Sequence, residues 1–362
     1  MKQFLLDLLE CPFCHAFPFR LFVFEKDKGQ TRRGSGQCLE TEITAGIIFC
    51  EGCRRWFPVR EGIPSIMPDN LRNRDEPAWL QSFKNLLPGN VYERASEFSS
   101  GCACAKSSME THDADKKKEI KVRNHESDIY DQLFPDDKFR AELDVYDRLL
   151  QPSPESLVLD LGCGTGRITR QILGKCLCLV GLDFSFRSLL YYRNHIPPER
   201  SHSLHLVHGD VCFLPFRKDL FSDVLSAGLF CNLPGEKMRN MGLEQASRVL
   251  KRKGVIVISV YNFSLLKKLR GFTGLAQTGR KEGYKKDGLY YYNHAPQEFL
   301  KWLDRYFDVT DLMGTDNRIP MLQHLSPNLN ALIDRTISST GLSLSIFARE
   351  MTAKGIKKKK KT

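Results

Sequence analysis

The chain has 362 residues and 41% hydrophobic content, enough to fill at least one sizeable core within two or three domains. Its longest apolar runs, such as residues 255–260, fall far short of the roughly 18 residues that cross a bilayer, and Asp7 and Glu10 spoil the apolar start as an export leader. The formal net charge of +11 points to an anionic partner, while the lysines at 357–361 supply five of those charges in what reads as a solvated tail.

Twelve cysteines in a chain without an export signal indicate a reducing, cytoplasmic compartment, where thiols serve as metal ligands or buried apolar groups more often than as disulfides. Residues 1–68 open on an amphipathic stretch, Phe4, Leu5, Leu8 and Leu9, and contain two Cys-x-x-Cys pairs, Cys11 with Cys14 and Cys50 with Cys53. Four thiolates in two knuckles suit tetrahedral zinc with no open position, which makes the site structural. The 35 residues between Cys14 and Cys50 exceed the common ribbon spacing, and an inserted hairpin absorbs them. Redox dithiols are the alternative, but neither pair stands at the start of a helix after a strand. His15, Cys38, Cys102 and Cys104 are weaker ligand candidates that read better as loop or linker residues.

Residues 69–124 are mostly polar, with one short helix expected at 79–87 and a Lys116, Lys117, Lys118 run in a stretch too polar to bury a core. They read as a partly disordered linker. From 125 to 350, helical stretches at 139–150, 168–173, 188–195, 236–250 and 296–307 alternate with strand-like stretches at 157–161, 178–182, 204–208, 224–226, 255–260, 309–313 and 342–348. Continuous apolar strands alternating with helices are the pattern of an α/β domain, here a Rossmann-like sheet of about seven strands with helices on both faces. Residues 351–362 read as a disordered basic tail.

The strand at 157–161 runs into Gly162-Cys163-Gly164-Thr165-Gly166, and a helix is expected directly afterwards. Alternate glycines let the backbone turn sharply and approach a ligand, and helix amides face what lies there. Asp183, 17 residues after Gly166 at the end of the next strand, offers a carboxylate to two ribose hydroxyls. Gly209-Asp210-Val211 after the third strand would place a polar side chain and an amide beside an adenine. A dinucleotide-binding dehydrogenase is disfavoured, because the glycines follow G-x-G-x-G and not G-x-G-x-x-G.

These residues resemble the class I S-adenosylmethionine-dependent methyltransferases, whose first motif is Asp-x-Gly-x-Gly-x-Gly and whose second strand ends in an acidic residue. Phe221-Ser222-Asp223-Val224 and Lys251-Arg252-Lys253-Gly254 resemble that family's fourth-strand region and the turn into its fifth strand; Arg252 and Val255 depart from the usual Lys-Pro-Gly-Gly. The resemblance implies that Gly162, Gly164 and Gly166 wrap the methionine part of S-adenosylmethionine and that Asp160 orients it. It further implies that Asp183 holds the ribose, and Asp210 with Val211 the adenine. The first 65 or so residues are similar to the small zinc-binding activator subunit of tRNA, rRNA and release-factor methyltransferases, through the Leu-rich start before Cys11-Pro12-x-Cys14 and through Phe57-Pro58-Val59, Gly62-Ile63-Pro64 and Ile66-Met67. Both resemblances in one chain imply a fused enzyme and activator that needs no separate activator subunit. Its apolar ending would then pack on the catalytic domain. A bacterial rRNA guanine methyltransferase shares the domain order but has a different, His-containing second knuckle.

Methyl transfer from a sulfonium is an in-line displacement, so the main task is to hold nucleophile and methyl group in line in a dry pocket; a base is optional. The segment 227–234 lacks the Asn/Asp-Pro-Pro-Tyr/Phe sequence of enzymes that methylate exocyclic base amines and the Pro-Cys pair of those that attack pyrimidine rings. Cys231-Asn232-Leu233 stands in the register of the His-His-Leu of modified wobble-uridine methyltransferases, without the histidines. Asn232 either bonds an acceptor or caps the following helix, and Tyr130 either closes over the cofactor or sits in the core.

A basic insertion at 263–288, with Lys267, Lys268, Arg270, Arg280, Lys281, Lys285 and Lys286, precedes Tyr290-Tyr291-Tyr292. It suits nucleic-acid contacts or a solvated lid. RNA or another translation component is the leading substrate. A small molecule (a quinone precursor or natural product) and an inactive zinc-stabilised binding module are the alternatives.

Overall fold

Apolar side chains alternate between the two faces of the central strands, and that alternation sets the layers. In the computed structural model, which describes residues 1–27, 41–99, 110–133, 136–264, 267, 280–317, 332 and 348–359, the catalytic half contains β5 (Leu157–Leu161), β6 (Cys178–Asp183), β7 (Leu204–Gly209), β8 (Phe221–Ser226) and β9 (Leu250–Asn262). Val158, Leu179, Leu206, Leu225 and Val257 enter one core with α5 (Asp136–Leu150) and α6 (Phe186–Asn194). Their neighbours Leu159, Val180, Val207, Val224 and Ile256 enter the opposite core with α7 (Glu236–Val249) and α8 (Pro296–Leu303). A period of two with both faces covered requires helices on each side.

Strands β5 to β9 are mutually parallel in the order β7-β6-β5-β8-β9. Beyond β9 the sheet continues with antiparallel β13 (Ala348–Lys357) and then β12 (Phe307–Asn317). These seven strands match the expected Rossmann-like sheet. A short pair, β10 (Glu282–Tyr284) and β11 (Tyr290–His294), joins the far end of β9.

At the C-terminus one expectation is corrected and another falls largely outside the described residues. The final strand occupies 348–357, while 342–347 lie outside the described residues, and residues 351–357 are no disordered tail. Met351, Thr352 and Ala353 are buried between β9 and β12. A strand enclosed by two neighbours is held by ladder hydrogen bonds and small side chains, so its lysines hide it from a hydrophobicity reading.

The N-terminal module is a meander of β1 (Arg20–Asp27), β2 (Glu42–Phe49), β3 (Trp56–Arg60) and β4 (Ile63–Ile66), preceded by α1 (Gln3–Leu8). Strands β1 and β2 are the hairpin expected between the cysteine pairs. Glu61 (φ 49°) and Gly62 (φ 70°) form the two-residue turn into β4, where positive φ at both positions matches the strand twist. Strand β4 pairs with β3 through Pro64, and through Ser65 and Ile66 it pairs in parallel with His208 and Gly209 of β7. The module therefore extends the catalytic sheet as a docked unit, with Ile63, Ile66 and Met67 at most 1% exposed. Helix α1 adds Leu5, Leu6, Leu8 and Leu9 to the core beneath α7.

The expected linker is also corrected. Helices α2 (Glu76–Ser82) and α3 (Gly89–Ser99) pack Leu80, Val91 and Ala95 on Ile47, Phe49 and Trp56 of the meander. Trp56 Nε1 donates to the Ala95 carbonyl at 3.0 Å. Helix α4 (Glu110–Glu126) lies against α6 and the turn at Asp69–Leu71. Its mean hydropathy is low because the face it buries is charged. Residues 100–109, with Cys102 and Cys104, and Cys38 lie outside the described residues. Among the described residues no helix is long and apolar enough to cross a membrane.

Candidate active site and metal centre

The parallel strands end at one edge of the sheet, and a cavity opens there. Such crevices beyond the carboxyl ends of strands are where open α/β sheets bind ligands. Asp160, Gly162, Gly164, Asp183, Asp210 and Val211 all line it.

Gly162 (φ 73°), Gly164 (φ 53°) and Gly166 (φ 76°) take the left-handed backbone that side chains avoid. The Gly162 amide donates to the Leu182 carbonyl at 2.8 Å, which ties the loop to β6. A Cβ on Gly164 would meet nothing within 4 Å, so this glycine faces open space, whereas a Cβ on Gly166 would fall 2.1 Å from the Tyr192 ring. Gly166, between the lining residues Thr165 and Arg167, leaves room for Tyr192 in the core. The helix expected at 168–173 is a single 3-10 turn at Thr169–Gln171, in which Ile168 and Ile172 are buried without a regular helix.

The acidic side chains are held from the backbone. Asp183 Oδ2 accepts from the Gly164 amide and Oδ1 from the Ser185 amide, both at 2.8 Å. Burial raises its carboxyl against those bonds. Asp160 accepts from Thr169 Oγ1 at 2.8 Å, and Thr169 Oγ1 lies 2.9 Å from Tyr192 Oη. Burial pushes Asp160 up to about 7. Asp210 accepts from the Cys212 amide at 2.9 Å and caps the turn at Val211–Phe213.

Sequence reasoning missed α4. Lys116, Glu119 and Arg123, spaced i, i+3 and i+7 on one helix face, line the cavity. The Lys116 ammonium donates to Asp210 Oδ2, and the Arg123 guanidinium lies 5.4 Å from the centre of the Tyr130 ring, which is itself in the cavity wall. Burial pushes the Glu119 carboxyl up to about 7. The i, i+3, i+7 spacing was the available signal, masked by the charge of the residues that carry it.

Asn232 lines the same cavity and does not cap α7, whose N-cap is Gly235 without a side-chain bond. Its Nδ2 donates to the Gly228 carbonyl at 2.8 Å, and its buried Oδ1 has no partner among the described residues. Tyr290 and Tyr292 are buried, with the Arg239 guanidinium 3.8 Å over the Tyr292 ring, so two of the three tyrosines after the insertion are core. Lys268 and Arg270 lie outside the described residues.

The four sulfurs of Cys11, Cys14, Cys50 and Cys53 lie within 4.8 Å of one another, with Cys11 and Cys53 3.6 Å apart and Cys14 and Cys50 3.4 Å apart. Tetrahedral zinc thiolate with bonds of about 2.3 Å places its sulfurs about 3.8 Å apart, so the donor set fits. The knuckles are built alike. The His15 amide donates to the Cys11 carbonyl at 2.9 Å and the Arg54 amide to the Cys50 carbonyl at 2.8 Å, both donors at positive φ. The His15 ring turns away to Glu10, 3.1 Å distant, and is no ligand.

Comparison with known proteins divides the chain in the same place. Residues 158–254 match the family described as methyltransferase domain, and residues 2–62 match the family described as Trm112p-like protein. A putative methyltransferase of Encephalitozoon cuniculi is 34% identical over 110 residues, 30% of this chain and 47% of that protein. A probable tRNA methyltransferase 9B of Bos taurus is 26% identical over 142 residues, 38% of this chain and 29% of that protein. The tRNA (carboxymethyluridine(34)-5-O)-methyltransferase alkbh8 of Xenopus tropicalis is 26% identical over 134 residues, 37% of this chain and 20% of that protein. The chain spans less than half the length of each of these relatives. With its sheet order, its glycine loop and its four-cysteine cluster, the chain carries a methyltransferase-domain segment and a Trm112p-like segment in one polypeptide.

Proposed function

We propose that this chain is an S-adenosylmethionine-dependent methyltransferase that modifies RNA of the translation apparatus, tRNA first, in the cytoplasm. The observation that carries the cofactor reading is the open cradle at Gly164 beside Asp183, at the carboxyl ends of the parallel strands. Each Asp183 oxygen receives one backbone amide and keeps a lone pair for a ribose hydroxyl. In this reading Asp210 and Val211 hold the adenine and Asp160 and Gly162 the methionine part; all four line the cavity. When bound, the sulfonium supplies an electrophilic methyl group.

The chain's own task is positioning. Asn232 Oδ1, buried and unpartnered, is placed to accept from the N–H or O–H of an acceptor, and Tyr130 and Arg123 wall the cavity from water. Glu119, like Asp160 a lining carboxyl pushed up to about 7, is suited to take a proton near neutral pH. The RNA assignment draws on the tRNA methyltransferases among the relatives and on the net charge of +11. The cysteines are assigned a structural zinc, and the Trm112p-like domain the role of a built-in activator. Tritium transfer from labelled cofactor into fractionated RNA, protein and metabolites of a deletion strain tests the reading. Label in tRNA or rRNA supports it, label in metabolites alone replaces RNA with a small molecule, and no transfer overturns the enzyme.

A further inference from the structure

At the opposite edge of the sheet, three segments distant in sequence bring cations together. Between Phe221, which faces Leu250, and Asp223, which faces Val255, the register shifts so that Lys251, Arg252, Lys253 and Gly254 loop out of the β8–β9 ladder. All three cations are exposed. Lys357 at the end of β13 reaches under this bulge, donating to the Leu250 carbonyl at 2.6 Å and to Asp219 at 2.7 Å. That contact pairs Asp219, whose chain neighbours Arg217 and Lys218 are exposed, as is Lys359 two residues beyond Lys357. Arg217 lies 4.5 Å from the centre of the Phe17 ring on the zinc module, and Phe17 is 46% exposed.

We propose that this edge is a second contact surface for RNA, gripping the phosphodiester backbone while another part of the same molecule enters the cavity. The inference rests on the RNA reading above. A run of cations on a protruding bulge, flanked by an exposed aromatic ring under a guanidinium, suits phosphates with an unpaired base nearby. Along β9, Ser259 accepts from the cavity residue Gly228, eight positions from Lys251. The ladder runs from Ile258 opposite Ser226 back to Leu250 opposite Phe221, so at a rise of about 3.3 Å per residue cavity and bulge are about 20 Å apart. An RNA that engages both extends at least that far from the nucleotide held in the cavity, which a stem-loop of only a few base pairs does not.

The test is the full chain carrying Lys218→Gln, Lys251→Gln and Arg252→Gln, titrated with bulk tRNA and with a short stem-loop across a salt series. We expect roughly tenfold weaker binding of tRNA and a log-log salt slope shallower by about 2, with the stem-loop unaffected. Melting temperature and affinity for S-adenosylhomocysteine should not change. If the parent chain binds tRNA and the variant binds it with the same affinity and slope, the surface is a solvated edge and the proposal falls while the RNA reading stands. If the parent binds no tRNA, the proposal falls together with the tRNA reading. If the variant instead loses only binding to phosphatidylserine vesicles, the edge is a membrane contact and the proposal is overturned.

Discussion

The Lys116 ammonium is ion-paired with Asp210 inside the cavity, the two side chains 5% and 4% exposed and 94 residues apart in sequence. The pair ties the segment that follows the Trm112p-like domain to the turn expected to hold an adenine. Removing one partner strands a buried charge. Lys116→Met should destabilise the fold by about 3 kcal/mol in urea titration, and Lys116→Met with Asp210→Asn should cost less than the sum of the singles by about 1 to 3 kcal/mol. Additive losses would show that the pair is not coupled.

Asp183→Ala removes an acceptor aligned by two backbone amides. Affinity for S-adenosylhomocysteine, measured by calorimetric titration, should fall by about 1 to 3 kcal/mol. Unchanged affinity would remove Asp183 from the cofactor site.

The raised carboxyl of Asp160 has a stability consequence with a definite sign. Burial lifts it from 3.8 to about 7, so between these values the folded chain holds a proton that the unfolded chain has lost. Its stabilising contribution is complete below about pH 4 and is lost as pH rises through about 7, with a slope of at most about 1.4 kcal/mol per pH unit. Asp160→Asn should abolish that slope in unfolding titrations at pH 5 and 8. His208, pushed down to about 4 by burial, acts in the opposite direction, so only the difference between parent and variant isolates Asp160.

Metal analysis should find one zinc per chain, lost in the double variant Cys50→Ser and Cys53→Ser. Because β4 belongs to both the meander and the catalytic sheet, metal loss should lower the melting temperature of the whole chain. Stoichiometric zinc in the double variant would refute the ligand set.

Deleting residues 1–68 strips β4 from β7 and α1 from the core beneath α7. The bared strand edge and apolar face should lower solubility and melting temperature. Equal melting temperatures for the truncated and full-length chains would contradict the docked arrangement.

Local chemistry was legible in the sequence. The glycines at 162 and 164 announce a left-handed turn, Asp183 follows at the end of the next strand, and the two Cys-x-x-Cys pairs read as knuckles, because each is set by backbone torsion or ligand spacing over a few residues. The alternation of apolar strands with helices likewise revealed the parallel sheet. Only the tertiary structure decided the rest. Helix α4 looked like a linker because its buried face is Lys116, Glu119 and Arg123, and a buried charge makes sense only beside a partner such as Asp210, which lies far along the chain. Strand β13 was hidden by its lysines because enclosure between β9 and β12 replaces apolar patterning. That Gly166 leaves room for Tyr192, 26 positions away, was not legible locally either. Torsional demands are written into neighbouring residues, whereas the partner of a buried charge or ring is fixed only when distant strands are brought into register.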